Sequence, residues 1–343
     1  MVTSVGYDAP ATCAAIRCGL NRFEETRFRF GGEWVIGASI PLPGSPRGIE
    51  RLLTMAATPI EECLGQLPAG EARDTAWVVC LSETDRPGRP AGLDEAFAVE
   101  LRTLLVGAER LGQHSQLLTG VLSPVRGLLW LDEVIASKRA KYGILAAADG
   151  FLHAATLEGL DDRGAPLSTV DGGDLVPGEA GGAIAVASPR ETSGELQCLG
   201  IGWGHELAVP GSGQPLRGEG LAAACRGALE SSGVADNGCG LRNIDYRIAD
   251  LGGDRRQGFR EAALAQARVM RVRKAELDLW LPSESLGHVG AGATPISLGL
   301  ALDASRRGYA PGSGVLMQFG ADDGGRAAVV LREQGRPSRP TLD

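Results

Sequence analysis

Thr75 to Leu81 reads TAWVVCL, an unbroken apolar run of strand length. A strand with one wet face alternates apolar and polar residues. A strand without alternation is covered on both faces, as strands inside a parallel sheet are. Such a sheet needs helical crossovers, and the flanking sequence supplies them. Upstream, Ile49, Leu52, Leu53, Ala56, Ile60, Cys63 and Leu64 repeat at three- and four-residue spacing, which predicts a long amphipathic helix. Downstream, a Pro/Gly-rich loop at 86–92 leads into a helix over Leu93–Val106. A helix from Pro10 to Gly19, opened by a first-turn proline, and a strand over Trp34–Ile40 complete the front of the chain.

The alternation continues. Strands are expected at 116–120, 143–148, 181–187, 196–202, 244–249, 277–281, 314–319 and 327–331. Helices are expected at 124–139, 220–231, 256–269 and 291–306. This is the pattern of an α/β protein with a mostly parallel sheet under helices. It also repeats: helix 124–139, strand 143–148, loop, strand 181–187 has the same order as helix 291–306, strand 314–319, loop, strand 327–331. A duplicated unit follows, with halves at 1–190 and 191–335, a junction near 189–194 and a tail over 336–343. Two sheets enclosing shared helices would suit the glycine content, 50 residues of 343 and scattered without period.

Composition removes several function classes. The formal charge is −8, from 34 basic and 42 acidic residues, which argues against a nucleic-acid binder. The densest basic stretch, Arg268, Arg271, Arg273 and Lys274, reads as a solvated helix end. Seven widely spaced cysteines without a CxxC pair fit neither a disulfide framework nor a zinc site, and predict buried reduced thiols. No metal or cofactor is expected. The absence of a signal segment, and of any apolar run near the roughly 20 residues of a membrane span, predicts a cytoplasmic chain with no membrane contact. Gly200, Gly202 and Gly204 lack the spacing of a dinucleotide-binding turn. Cys80, central in an apolar strand, is expected to be an inert thiol.

Three segments carry a resemblance to a known family. Pro177-Gly-Glu-Ala-Gly-Gly182 resembles the Gly-Glu-Gly-Ala-Gly turn before the last strand of the first half of β-ketoacyl synthases. Ser283-Glu-Ser-Leu-Gly-His288, with Gly290 to Ala293, is similar to the Lys-x-x-x-Gly-His-x-x-Gly-Ala-Ala-Gly segment opening their second buried helix. Met317-Gln-Phe-Gly320 sits where the family has a Gly-Phe-Gly-Gly turn. The resemblance implies a thiolase-like fold of two duplicated α/β halves in a sheet-helix-sheet sandwich. It also implies a cysteine nucleophile at a helix N-terminus, where the thiolate is favoured, with two histidines and a lysine around it.

Position by position, most of that set is missing. The nucleophile helix is entered through Val121-Leu-Ser-Pro124, and no cysteine lies between 81 and 197. Ser123 takes the position and reads as a helix N-cap. Asp250 stands in the place of the first histidine, where it would repel a malonyl carboxylate. Ser283 replaces the lysine. His288 matches the second histidine and reads as a hydrogen-bonded structural residue at a helix entrance. His114, His153 and His205 match no family position and are expected on surfaces or loops. The family's first strand, which the resemblance places centrally in its sheet, is missing before Met1–Gly6. Either the start is late, or the fold lacks that strand, or another chain supplies it.

The resemblance therefore implies a catalytically inactive ketosynthase-like protein acting through a protein partner, as a homodimer or heterodimer. It is similar to the thiolase-like accessory proteins of type VI secretion effector modules. Ala14–Leu20, Asp250-Leu-Gly-Gly253 and Phe259–Ala265 carry that likeness, and the partner would be a secreted effector that it chaperones or adapts. The alternatives are an inactive chain-length-factor-like partner of an active ketosynthase, with acyl-carrier protein as a further partner, or an acyltransferase using Ser123 or His288.

Overall fold

The computed structural model describes residues 1–68, 74–106, 111–165, 167–169, 173–192, 195–209, 212–233, 240–251, 255–270 and 277–334. Cys239, Gly252, Gly253, Arg271, Arg273, Lys274, the end of the junction at 193–194 and the tail at 336–343 lie outside them. The chain forms two compact units. The first comprises Met1–Asp162, Pro166–Thr192 and Ser283–Gly299; the second, Arg163–Ala165, Ser193–Pro282 and Leu300–Asp343.

In the first unit, strand β1 (Val2–Thr3) and helix α1 (Ala9–Arg17) precede a hairpin of β2 (Glu24–Phe30) and β3 (Glu33–Gly37). Then come α2 (Gly48–Gln66), β4 (Thr75–Leu81), α3 (Glu95–Leu104), β5 (Ser115–Thr119), α4 (Ser123–Ala136), β6 (Tyr142–Gly150), α5 (Ala154–Asp162) and β7 (Glu179–Ala187). The main sheet has the order β1-β7-β6-β4-β5. β4 lies parallel to β5 and β6, and β7 runs antiparallel to β6. β4 is buried at every residue, as its composition requires.

Side chains alternate across this sheet. Trp77, Val79 and Leu81 share a core with Leu53, Met55 and Ile60 of α2. Val78 and Leu145 face the other way, against Gly127 of α4. Each large side chain buried in this way is worth about 1.5–3 kcal/mol.

The second unit holds β8 (Leu196–His205), α6 (Glu219–Ser231), β9 (Tyr246–Asp250), α7 (Arg255–Val269) and β10 (Asp278–Trp280). After α8 (Ser283–Leu286), α9 (Ala293–Arg306) leads to β11 (Gly314–Gly320) and β12 (Gly325–Glu333). Its sheet runs β10-β9-β11-β12-β8. Numbered within each sheet, both orders are third, second, fourth, fifth, first, and in both the fifth strand is antiparallel to the fourth. The duplication expected from the sequence is thus a duplication of connectivity.

Several expectations need correction. Val2 and Thr3 pair antiparallel with Gly181 and Ala180, so a short first strand exists, and it lies at the sheet edge rather than centrally. β2 (EETRFRF) was not expected, because its charges obscure the alternation, and α5 lies in what reads as a long loop. Met317–Gly320 is the end of β11, not a turn. Gly200, Gly202 and Gly204 are alternate residues of β8, all facing α6, where an added methyl would strike the carbonyl oxygens of Ala228, Ala224 and Gly220. They allow strand and helix backbones to touch. Cys18 and Cys198 are exposed, while Cys13, Cys63, Cys80 and Cys225 are buried, and none of these six forms a disulfide.

Candidate functional site

Ser123 is the first residue of α4, at the end of the turn that leaves β5, with its N–H donating to the Gly120 carbonyl at 3.0 Å. The residue flanking the helix is Leu122, so the expected serine N-cap is absent. Pro124 takes the first turn, where a missing N–H costs nothing. The Ser123 side chain is turned inward, 3% exposed, and its hydroxyl makes no geometric hydrogen bond. Its neighbour is the Cys80 thiol on β4, which burial pushes up to about 12 against a weaker opposing effect from Ser123. Cys80 is therefore the inert thiol its surroundings predict. A thiol protonated at neutral pH does not activate a serine.

His288 lies in the first unit, just beyond α8. Its backbone is fixed on both sides of the Pro177–Gly178 segment: its N–H donates to Val176 at 2.7 Å, and its carbonyl accepts from Gly178 at 2.9 Å. The two motifs of the resemblance are thus joined as a parallel bridge. Gly178 is required there, because a methyl on it would overlap the Leu286 carbonyl oxygen. The imidazole is 5% exposed, with its centroid 4.1 Å from the Phe151 ring, and its Nδ1 has no partner.

Phe151 also packs against a charged clamp that gave little sign in the sequence. The Arg86 guanidinium sits 4.0 Å over the Phe151 ring. It donates to both oxygens of Asp149, at 2.5 Å and 2.9 Å, and its Nε donates to Glu83 at 2.6 Å. Burial opposes the Arg86 charge, but Asp149 and Glu83 outweigh it and raise its pKa above the ordinary arginine value. Asp149 also accepts the backbone N–H groups of Gly150, at 2.7 Å, and Ala291, at 3.0 Å. Gly290 has φ +54°, and a side chain on it would overlap the Asp149 carboxylate. The clamp thereby fastens the His288–Gly292 turn to the end of β6. A second ion pair, half-buried Arg51 with buried Glu179 of the Pro177–Gly182 motif, ties β7 to α2, with Glu179 also accepting from Ile40 at 2.8 Å.

Asp149 follows Leu145 and Ala147 on the α4-facing side of β6, and Ser123 opens α4 itself. Ser123 and the His288–Ala291 turn therefore share one face and one end of the sheet, the carboxyl end of β4, β5 and β6. They are not joined as nucleophile and base, because the Ser123 hydroxyl has no hydrogen-bond partner. Ser283 is half-buried at the start of α8, and its carbonyl accepts from Gly287 at 2.9 Å. Asp250 belongs to the second unit, where it ends β9 opposite Phe319 and is 5% exposed. His114, His153 and His205 are exposed. Among the described residues no cluster of His, Cys, Asp and Glu is arranged to hold a metal ion, and no helix is long and apolar enough to cross a membrane.

No family model matches the sequence, and no curated protein matches it. Solved structures do. A ketosynthase of a type II polyketide system, solved in complex with its acyl-carrier protein, is similar with a TM-score of 0.72 at 16% identity, covering 97% of both chains. The ishigamide ketosynthase/chain length factor is similar with a TM-score of 0.65 at 15% identity, again over 97% of both chains. A ketosynthase (ApeO) in complex with its chain length factor (ApeC) from Xenorhabdus doucetiae gives 0.63 at 13% identity, over 97% of this chain and 96% of that one. Identities this low speak for architecture alone. Together with two sheets of one connectivity, they show that the chain has the thiolase-like α/β fold of the ketosynthases.

Proposed function

We propose that the protein is a non-catalytic, ketosynthase-like protein that acts by binding a protein partner. The observation that carries this reading is the condition of Ser123: buried, without a base, and beside a protonated thiol. His288 supports it, because its backbone is built into a bridge and its ring is packed against Phe151. Asp250, in the place of a histidine that would hold a malonyl group, points the same way. The test is the intact mass of the protein after incubation with acyl-carrier-protein and acyl-CoA thioesters, beside a working synthase. No adduct is expected on this chain. An acyl group mapped to Ser123, His288 or a cysteine would overturn the reading.

Two kinds of partner follow from different observations. The segments at 14–20, 250–253 and 259–265 favour an adaptor or chaperone of a type VI secretion effector. Similarity to structures of ketosynthases solved with chain length factors favours an inactive subunit paired with an active ketosynthase, with acyl-carrier protein as a further contact. Co-expression with the proteins encoded beside it separates them. A soluble stoichiometric complex with an effector supports the first, and one with an active synthase supports the second. The mass experiment stands apart from both.

A further inference from the structure

In the second unit, α7 turns its one acid, Glu261, inward and exposes Arg256, Arg260 and Arg268. Gly258, Glu261, Ala262, Ala265 and Val269 form the buried stripe. Glu261 is held by Arg326 of β12 through two hydrogen bonds, at 2.7 Å and 3.0 Å. The outer face carries two rows at four-residue spacing. One is Phe259, Ala263 and Ala267; the other is Arg256, Arg260, Leu264 and Arg268, all exposed. Phe259 is 55% exposed and Leu264 36%. Beside the first turn, Gln257 donates to the Ala208 carbonyl at 3.4 Å, which holds the segment of Leu207, 69% exposed, against the helix.

Rows at four-residue spacing are the ridges another helix packs against, and the alanines beyond Phe259 leave a trough at its foot. Single exposed apolar residues are ordinary, but aromatic residues and arginine side by side are the mixture enriched at protein interfaces. The cations stand on a chain of net charge −8, so their field is local to this face. Arg268 pairs with Glu219 at its edge.

We infer that this face of α7 docks an amphipathic helix of a partner protein whose polar side is acidic. Apolar side chains of that helix would cover Phe259 and Leu264, while carboxylates meet Arg260, a geometry that suits the planar guanidinium. A nucleic acid would use the cations but leave the apolar row uncovered. The inference concerns a surface of the second unit and does not depend on the reading of Ser123 and His288.

The probe is a fluorescent synthetic helix with leucines on one side and glutamates on the other, titrated with the full chain and followed by anisotropy. Saturable binding is expected, weakening several-fold as salt rises from about 0.05 M to about 0.5 M. Arg260→Glu and Phe259→Ser should each weaken it about tenfold, equivalent to ~1.4 kcal/mol. Both side chains are exposed, and an unchanged thermal transition would show that the variants fold. The inference is overturned by no saturation, by equal binding of a lysine-for-glutamate probe, or by unchanged affinity in both variants. Displacement of the probe by a single-stranded oligonucleotide that binds more tightly would overturn it in favour of nucleic acid.

Discussion

A carboxylate sealed at the end of a sheet, as Asp149 is, keeps its charge only while cations and N–H groups surround it. Arg86, Gly150 and Ala291 do this, and the arginine is itself buried. Removing one partner strands the other. Arg86→Met or Asp149→Asn should each cost about 3–5 kcal/mol in urea unfolding. The double variant Arg86→Met/Asp149→Asn should lose less than the two single losses combined, because neither Arg86 nor Asp149 is left charged and without the other. Additive losses would mean that the two residues act separately. Of these residues only Asp149 left a sign in the sequence, as a charge ending the apolar run Ile144–Ala148. Arg86 lies in a Pro/Gly-rich loop with no periodicity, and its role depends on a partner 63 positions away. His288 was legible because its neighbours form a recognisable motif. The state of Ser123 was not, because it depends on Cys80, 43 positions earlier (123 − 80).

At the scale of elements, β8 and α6 meet through glycine. Gly202→Ala would place a methyl against the Ala224 carbonyl and the Ala228 N–H, backbone atoms that cannot rotate aside, and should destabilise by about 1–3 kcal/mol. Gly65→Ala, late in α2 with open space around it, should instead stabilise by up to about 1 kcal/mol. Thermal unfolding of the two variants would check the contrast; equal shifts would mean that the β8–α6 approach is not tight. Elements with one dominant signal were read from the sequence nearly to the residue, β4 above all. The elements missed are those whose pattern is overridden. β2 pairs with β3 while carrying charges on its open side, and α5 sits in a segment that Gly, Asp and Pro residues make look irregular.

For the whole molecule, alkali is the revealing condition. Burial first of all pushes Cys63 and Cys80 up to about 12 and Cys225 up to about 11, from an ordinary value of 9.0. The folded chain therefore holds protons that the unfolded chain releases above pH 9. Stability is fully present below that pH and falls as pH rises toward the folded values, by ~1.4 kcal/mol per pH unit for each thiol. Urea midpoints between pH 8 and 10.5 would show the fall, and Cys80→Ala should flatten the slope by one thiol's share. Both units also have a consequence for how the chain is made. The first is not contiguous: it is completed by Ser283–Gly299, and Asp149 waits 142 positions for the Ala291 N–H. At about 5–20 residues per second, a ribosome takes roughly 7–30 seconds to cover that interval. Throughout it, the nascent first unit holds a charged, unfinished sheet end, open to whatever chaperone is at the exit tunnel.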